Sequence, residues 1–189
     1  MKIALGSLLA TVAMFVWGAV FWMNPLPYSF IAKPSNDLEA GKSLLQHFPN
    51  TGTYFVPSMS KDEKAMEDLY KAGPVATIHI HREGVDTMSP QVFLLGFLHQ
   101  LVTVVLIAWL LQKALPGLGG YCSRLGFVAV AGLAAGFFSN VGFSIWMYVP
   151  LALPLINTVY VLTAWLVAGL VLAAFISPKP ATVAPPAQS

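Results

Sequence analysis

The stretch from Ser89 to Leu111 reads SPQVFLLGFLHQLVTVVLIAWLL and decides the class of the chain. Ser89 is a favourable N-cap, and Pro90 suits the first helical position, where its missing N–H leaves no bond unmade. The apolar run that follows supplies about twenty residues at ~1.5 Å rise each, enough to cross the ~30 Å hydrocarbon core of a bilayer. A membrane-spanning helix is therefore predicted over 90–111. His99 sits inside it, and apart from Lys2 at the very start of the first run it is the one His, Asp, Glu, Lys or Arg within the apolar runs of the sequence.

Working outward, three more runs have the same character: 1–23, 125–147 and 155–176. The chain of 189 residues is 57% hydrophobic and 10% charged, far below the ~25% charged residues of an ordinary soluble domain. The expected fold class is an all-α membrane bundle of four transmembrane helices. A small α/β extracytoplasmic domain (24–89) lies between the first two spans, and residues 177–189, rich in Pro and Ala, form a disordered cytoplasmic tail.

Charge placement sets the expected topology. All eight acids, Asp37 to Asp86, lie between the first and second apolar runs together with Lys33, Lys42, Lys61, Lys64, Lys71 and Arg82, which leaves that segment at −2. The other cations are Lys2, Lys113, Arg124 and Lys179. If Lys and Arg mark the cytoplasmic side, all four fall there in one arrangement, with both termini inside and the acidic segment outside. This pattern excludes a nucleic-acid partner and makes the lipid bilayer the first one. The single cysteine, Cys122, falls in the cytoplasmic loop, and one cysteine excludes CxxC redox chemistry within one chain.

The first run is longer than the apolar core of a secretory signal. It ends in Trp17, Phe21 and Trp22 and is followed by Asn24-Pro25, where a small-x-small cleavage site would stand. An uncleaved signal anchor is expected; a cleaved leader is the alternative. Beyond it, Asn36 with Glu39 and Ser60 with Glu63 have capping-box spacing and open two helices, to about Phe48 and Lys71. Thr53–Val56 and the alternating Val75–Arg82 are strand candidates that would pair.

Three features bear on chemistry. His79 and His81 fall on one side of a strand, as ligands of zinc or copper can; the alternative is the polar face of an amphipathic strand. His99 is a functional hypothesis by position, because ionisable groups in spans usually face the bundle interior. With Asn140 and Asn157 it would line a polar pocket in the outer half of the membrane, of a shape that holds a ligand or haem, or else a set of interhelical hydrogen bonds. Gly132 and Gly136, with Asn140 and Ser144, recur every four residues and form a small-residue face for helix packing. No Ser/His/Asp order, HExxH or nucleotide motif is present, so no catalytic residue is assigned.

FVWGAVFWMNPLP at the start, GTYFVP, and KAGPVA followed by EGVDTMSPQVFLLGFL together resemble a family of small bacterial four-span inner-membrane proteins. The resemblance covers the first two spans and the segment between them. It implies a bacterial inner membrane and an uncleaved first helix, and it transfers no activity and no site residue. The leading expectation is a non-enzymatic accessory or interaction protein that binds a membrane-protein partner or a second copy of itself. The alternatives are a metal- or haem-binding protein using His79, His81 and His99, and a subunit of an oligomeric channel or transporter.

Overall fold

The computed structural model describes residues 2–178; Met1 and residues 179–189, with Lys179 and nearly all of the expected tail, lie outside the described residues. The chain is mostly helical. Helix α1 (Lys2–Met23) ends at Asn24-Pro25 and a 3-10 turn, Pro27–Phe30. Helix α2 (Asp37–His47), strand β1 (Gly52–Val56), helix α3 (Glu63–Ala72) and strand β2 (Ala76–Ile80) follow. Helix α4 (Pro90–Ala114) runs into a 3-10 turn at Leu115–Gly117. Helix α5 (Tyr121–Gly136) passes through a π-helical turn (Phe137–Val141) into α6 (Gly142–Met147), and α7 is Ala152–Phe175. Among the described residues, four helical segments are long and apolar enough to cross a membrane: α1, Pro90–Gly117, Tyr121–Met147 and α7.

The boundaries shift for physical reasons. Helix α4 continues past Leu111 because Gln112, Lys113 and Ala114 are good helix formers, and it yields only at Pro116 and Gly117. Helix α7 starts before Leu155 because Pro154 sits in its first turn, where N–H groups have no partner inside the helix. At the start of α2, Asn36 accepts from the N–H groups of Leu38 and Glu39 at 3.0 and 3.2 Å. The Glu39 carboxylate turns instead to Lys42, 3.0 Å away, so half of the capping box forms. The cap of α3 is Asp62, which accepts from Ala65 N–H at 3.0 Å, and Ser60 accepts from Asp62 N–H. An aspartate nearer the helix has displaced the serine from that role.

The strands form a two-stranded antiparallel sheet, in register from Gly52↔Ile80 to Val56↔Ala76. Tyr54, Val56, Ala76, Ile78 and Ile80 are half-buried on one face, while Thr53, Phe55 and His79 are exposed on the other. Arg82, just past β2, donates from Nη1 to the carbonyls of Leu45 (2.8 Å) and Phe48 (2.5 Å). These carbonyls end α2, where a cation also complements the helix dipole.

The chain divides into two compact units, and the long helices contribute to both. One unit is Phe21–Phe93 with Ala135–Tyr160; it carries α2, α3, the sheet and the π turn. Phe21, Trp22, Tyr28 and Tyr160 cluster in it, with ring centroids between 5.1 and 6.1 Å apart.

The other unit holds the fully enclosed core: Ala10 of α1, Val104, Ala108 and Leu111 of α4, Val128 of α5, and Ala168, Leu172 and Ala173 of α7. Half of these are alanine, and small residues let helix backbones approach where lipid offers no hydrophobic drive. A Cβ on Gly6 would lie 2.7 Å from the Phe175 Cβ, and one on Gly132 would overlap the Trp165 side chain. Arg124 is 8% exposed and donates from Nε to the Ala173 carbonyl at 3.1 Å. Tyr121 donates to the Leu170 carbonyl at 2.9 Å. Two polar side chains at the start of α5 thus hold the last turns of α7.

Candidate functional site

Helix α4 is the least covered of the long helices: 17% of its most apolar window is buried, against 22% to 33% for the other three. Its buried residues are Val104, Ala108 and Leu111, on one face of its C-terminal half. Directly opposite run Leu95 (56% exposed), His99, Val102 (60%), Leu106 (57%) and Trp109 (54%). The spacing of 4, 3, 4 and 3 residues keeps them on one line along the helix. His99 is exposed and is the only polar side chain in this line between Leu95 and Trp109. Lys113 continues it, with Nζ 5.8 Å from the Trp109 ring centroid.

His99 therefore faces away from the core of its unit, while Gln100, about 100° round the helix, turns inward. The Gln100 Oε1 is enclosed and has no hydrogen-bond partner. His99 belongs to one compact unit, Asn140 and Asn157 to the other, so neither unit by itself assembles the pocket expected from these three. Asn140 is half-buried in the π turn and Asn157 half-buried in α7. Hydroxyls near them in the sequence bond locally: Ser139 donates to the Ala135 carbonyl, Thr158 to the Pro154 carbonyl, both at 2.8 Å, and Ser144 to the Val149 carbonyl at 2.5 Å. Such bonds commit the hydroxyl's one proton within its own helix or turn and leave it only an acceptor toward a neighbour.

Gly132, Gly136 and Ser144 are buried. Residues four apart overrun a 3.6-residue turn by about 40° at each step. The wider turn at Phe137–Val141 absorbs part of that drift, so Ser144 stays on the buried side. The Gly132 face is filled by Trp165 of α7, which makes it a contact inside the chain's own fold.

His79 and His81 flank the end of β2 and are both exposed. His79 Nδ1 lies 2.9 Å from Thr53 Oγ1, its cross-strand neighbour, and His81 Nδ1 lies 3.4 Å from Glu83 Oε2. Among the described residues no cluster of three or more His, Cys, Asp or Glu side chains is arranged to hold a metal. Glu83 also accepts from Thr51 Oγ1 at 2.7 Å. That bond, then one to its own backbone, and more weakly the charges of His81 and Arg82, hold its carboxyl below the usual carboxylate range.

Two grooves accompany these groups. One, of about 380 Å³, runs between α2 and the end of β2 past Leu38, Leu45, Ile80 and His81. The other, of about 370 Å³ and wholly apolar, is bounded by Phe21, Pro27, Phe30, Leu155 and Ile156. The first is also lined by Asp37, Lys42 and Arg82; the second has no polar side chain in its wall. No protein-family model, curated protein or solved structure matches the chain, so its function rests on its own residues.

Proposed function

We propose that the chain is a non-enzymatic, multi-pass protein of a bacterial inner membrane whose role is to hold another membrane helix against α4. The observation that carries this reading is the exposed line through Leu95, His99, Val102 and Leu106. A side chain with a donor and an acceptor is costly in contact with hydrocarbon, and polar groups within spans usually face protein or water. A helix laid along α4 would remove that cost.

The topology that suits this role has both termini in the cytoplasm and residues 24–89 outside, as a small domain beside the bilayer. Lys2, Lys113 and Arg124 support it from one side, by the preference of cations for the cytoplasmic face. The aromatic cluster of Phe21, Trp22, Tyr28 and Tyr160 supports it from the other, by the preference of such rings for the interface.

A nitroxide label tests the reading in vesicles, with Cys122 replaced by serine. At Val102→Cys it should be immobile and shielded from dissolved oxygen, while at Val130→Cys, on the 66% exposed Val130 of α5, it should be mobile and oxygen-accessible. Equal mobility and equal oxygen access at both positions would overturn it.

A further inference from the structure

We infer that the helix held by α4 is the α4 of a second copy of the chain, packed in parallel, with the two His99 imidazoles facing one another across a two-fold axis along the membrane normal. The inference rests on the docking role proposed above and names the partner.

Two observations and one general constraint on membrane insertion carry it. The exposed residues Leu95, His99, Val102, Leu106 and Trp109 follow a spacing of 4, 3, 4 and 3. That is the 3.5-residue period of a left-handed helix pair, in which alternate seam residues enter holes on the facing helix. The line is continuous and, apart from His99, apolar over these positions. A helix pair seated on it buries apolar side chains and one polar one.

The polar residue is self-complementary. An uncharged imidazole carries one N–H donor and one lone-pair acceptor, so one copy of His99 can donate to the other. The hydroxyls of Ser139, Ser144 and Thr158 have already committed their one proton within their own helices or turns, and Asn140 and Asn157 are half-buried. His99 has its backbone carbonyl engaged by Thr103 Oγ1 at 2.9 Å, and its ring is exposed.

Insertion geometry does the rest. Copies of one membrane protein insert with one orientation, so two α4 helices on a vertical two-fold axis are parallel and every seam residue meets its counterpart at equal depth. The contact is isologous and closes as a dimer. A different partner would need a polar group placed at the same depth. A second copy supplies it by construction. A single polar residue at a seam position also specifies register, as asparagine does in soluble coiled coils.

Disulfide trapping of the full-length protein tests this, with Cys122→Ser as background and one cysteine at a time in place of Leu95, Val102, Leu106 or Val130. Oxidation would be run in native membranes and in vesicles of phosphatidylethanolamine and phosphatidylglycerol. The three α4 positions should give a product of twice the chain mass at ~10-fold higher yield than Val130→Cys, as expected for a seam against an open surface. Adding His99→Leu should cut that yield about fivefold, and His99→Asn, which keeps a donor and an acceptor, should retain most of it. Should His99→Leu not fold, the comparison of the α4 positions with Val130→Cys decides alone.

A product in native membranes whose mass corresponds to a different protein would overturn the second copy and leave the docking role standing. No product at any α4 position, with the same positions open to lipid-borne oxygen, would overturn both. Equal yield at Val130→Cys, or a yield indifferent to a folded His99→Leu, would overturn the inference.

Discussion

His99 and Gln100 stand one residue and about 100° apart on α4, and that step separates an exposed imidazole from an enclosed amide oxygen that has no hydrogen-bond partner. The inward residue weakens the fold. Leaving a buried acceptor unmade costs on the order of 1–3 kcal/mol, so Gln100→Met, of similar length and without the amide, should raise stability by about 1 kcal/mol. Reversible unfolding in mixed detergent–lipid micelles reads this directly. A loss of stability would mean that the amide is doing structural duty.

The Gly132–Trp165 contact predicts a contrast between two glycines of α5. A Cβ at Gly132 has no room beside the indole, whereas a Cβ at Gly126 meets nothing within 4 Å. Gly132→Ala should cost about 1–3 kcal/mol through overpacking. Gly126→Ala should be neutral or stabilise by up to ~1 kcal/mol through helix propensity. Combining Gly132→Ala with Trp165→Leu should cost less than the sum of the two, because they share the contact. Strict additivity would contradict the packing described.

Arg124 predicts a stability effect that does not depend on topology. Its buried guanidinium donates to the Ala173 carbonyl near the end of α7. Hydrogen bonds from charged donors contribute about 1.5–3 kcal/mol, so Arg124→Ala should lower stability by about that much. Arg124→Gln keeps an N–H donor and should recover part of it. Hydrogen exchange should show the last turn of α7 opening first in the alanine variant; uniform loss of protection would contradict this placement.

Glu83 carries the pH dependence of the segment around β2. Its carboxyl is held below the ordinary range, chiefly by the Thr51 hydroxyl. The folded state therefore favours the carboxylate. The stabilising contribution is present above the ordinary glutamate range and is lost as pH falls through the depressed folded midpoint. Thr51→Val should move that midpoint up toward the ordinary value in a carbon-13 NMR titration. An unmoved midpoint would show that the Thr51 bond is not the main cause.

Much of this was legible in the sequence because long apolar runs and caps are local signals. Ser89-Pro90 opens α4 where it is expected, and Asn36 caps α2. Alternation marks the strand after Pro74, and the order of the elements suggests its pairing with Thr53–Val56, which the sheet has. What escaped depends on contacts between elements. Asp62 displaces Ser60 as the α3 cap because either residue can accept from the first turn and the local sequence does not rank them. Arg82 reads as a surface cation until β2 places it against the carbonyls ending α2. Arg124 reads as a loop charge until α5 begins at Tyr121, four residues before the expected start at Leu125. The direction of His99 was the largest gap: a near-uniform apolar helix has too weak a moment to mark its inner face. Only the enclosure of Val104, Ala108 and Leu111 shows which side is which.

The most direct test of the account is the number of copies that travel together in a bilayer. Singly labelled full-length protein, diluted into large vesicles until chance co-capture is rare, can be counted by stepwise photobleaching. Wild-type protein should bleach mainly in two steps at dilutions where His99→Leu bleaches in one. Single-step bleaching of the wild type, or two steps in both, would contradict the claim that α4 pairs through His99.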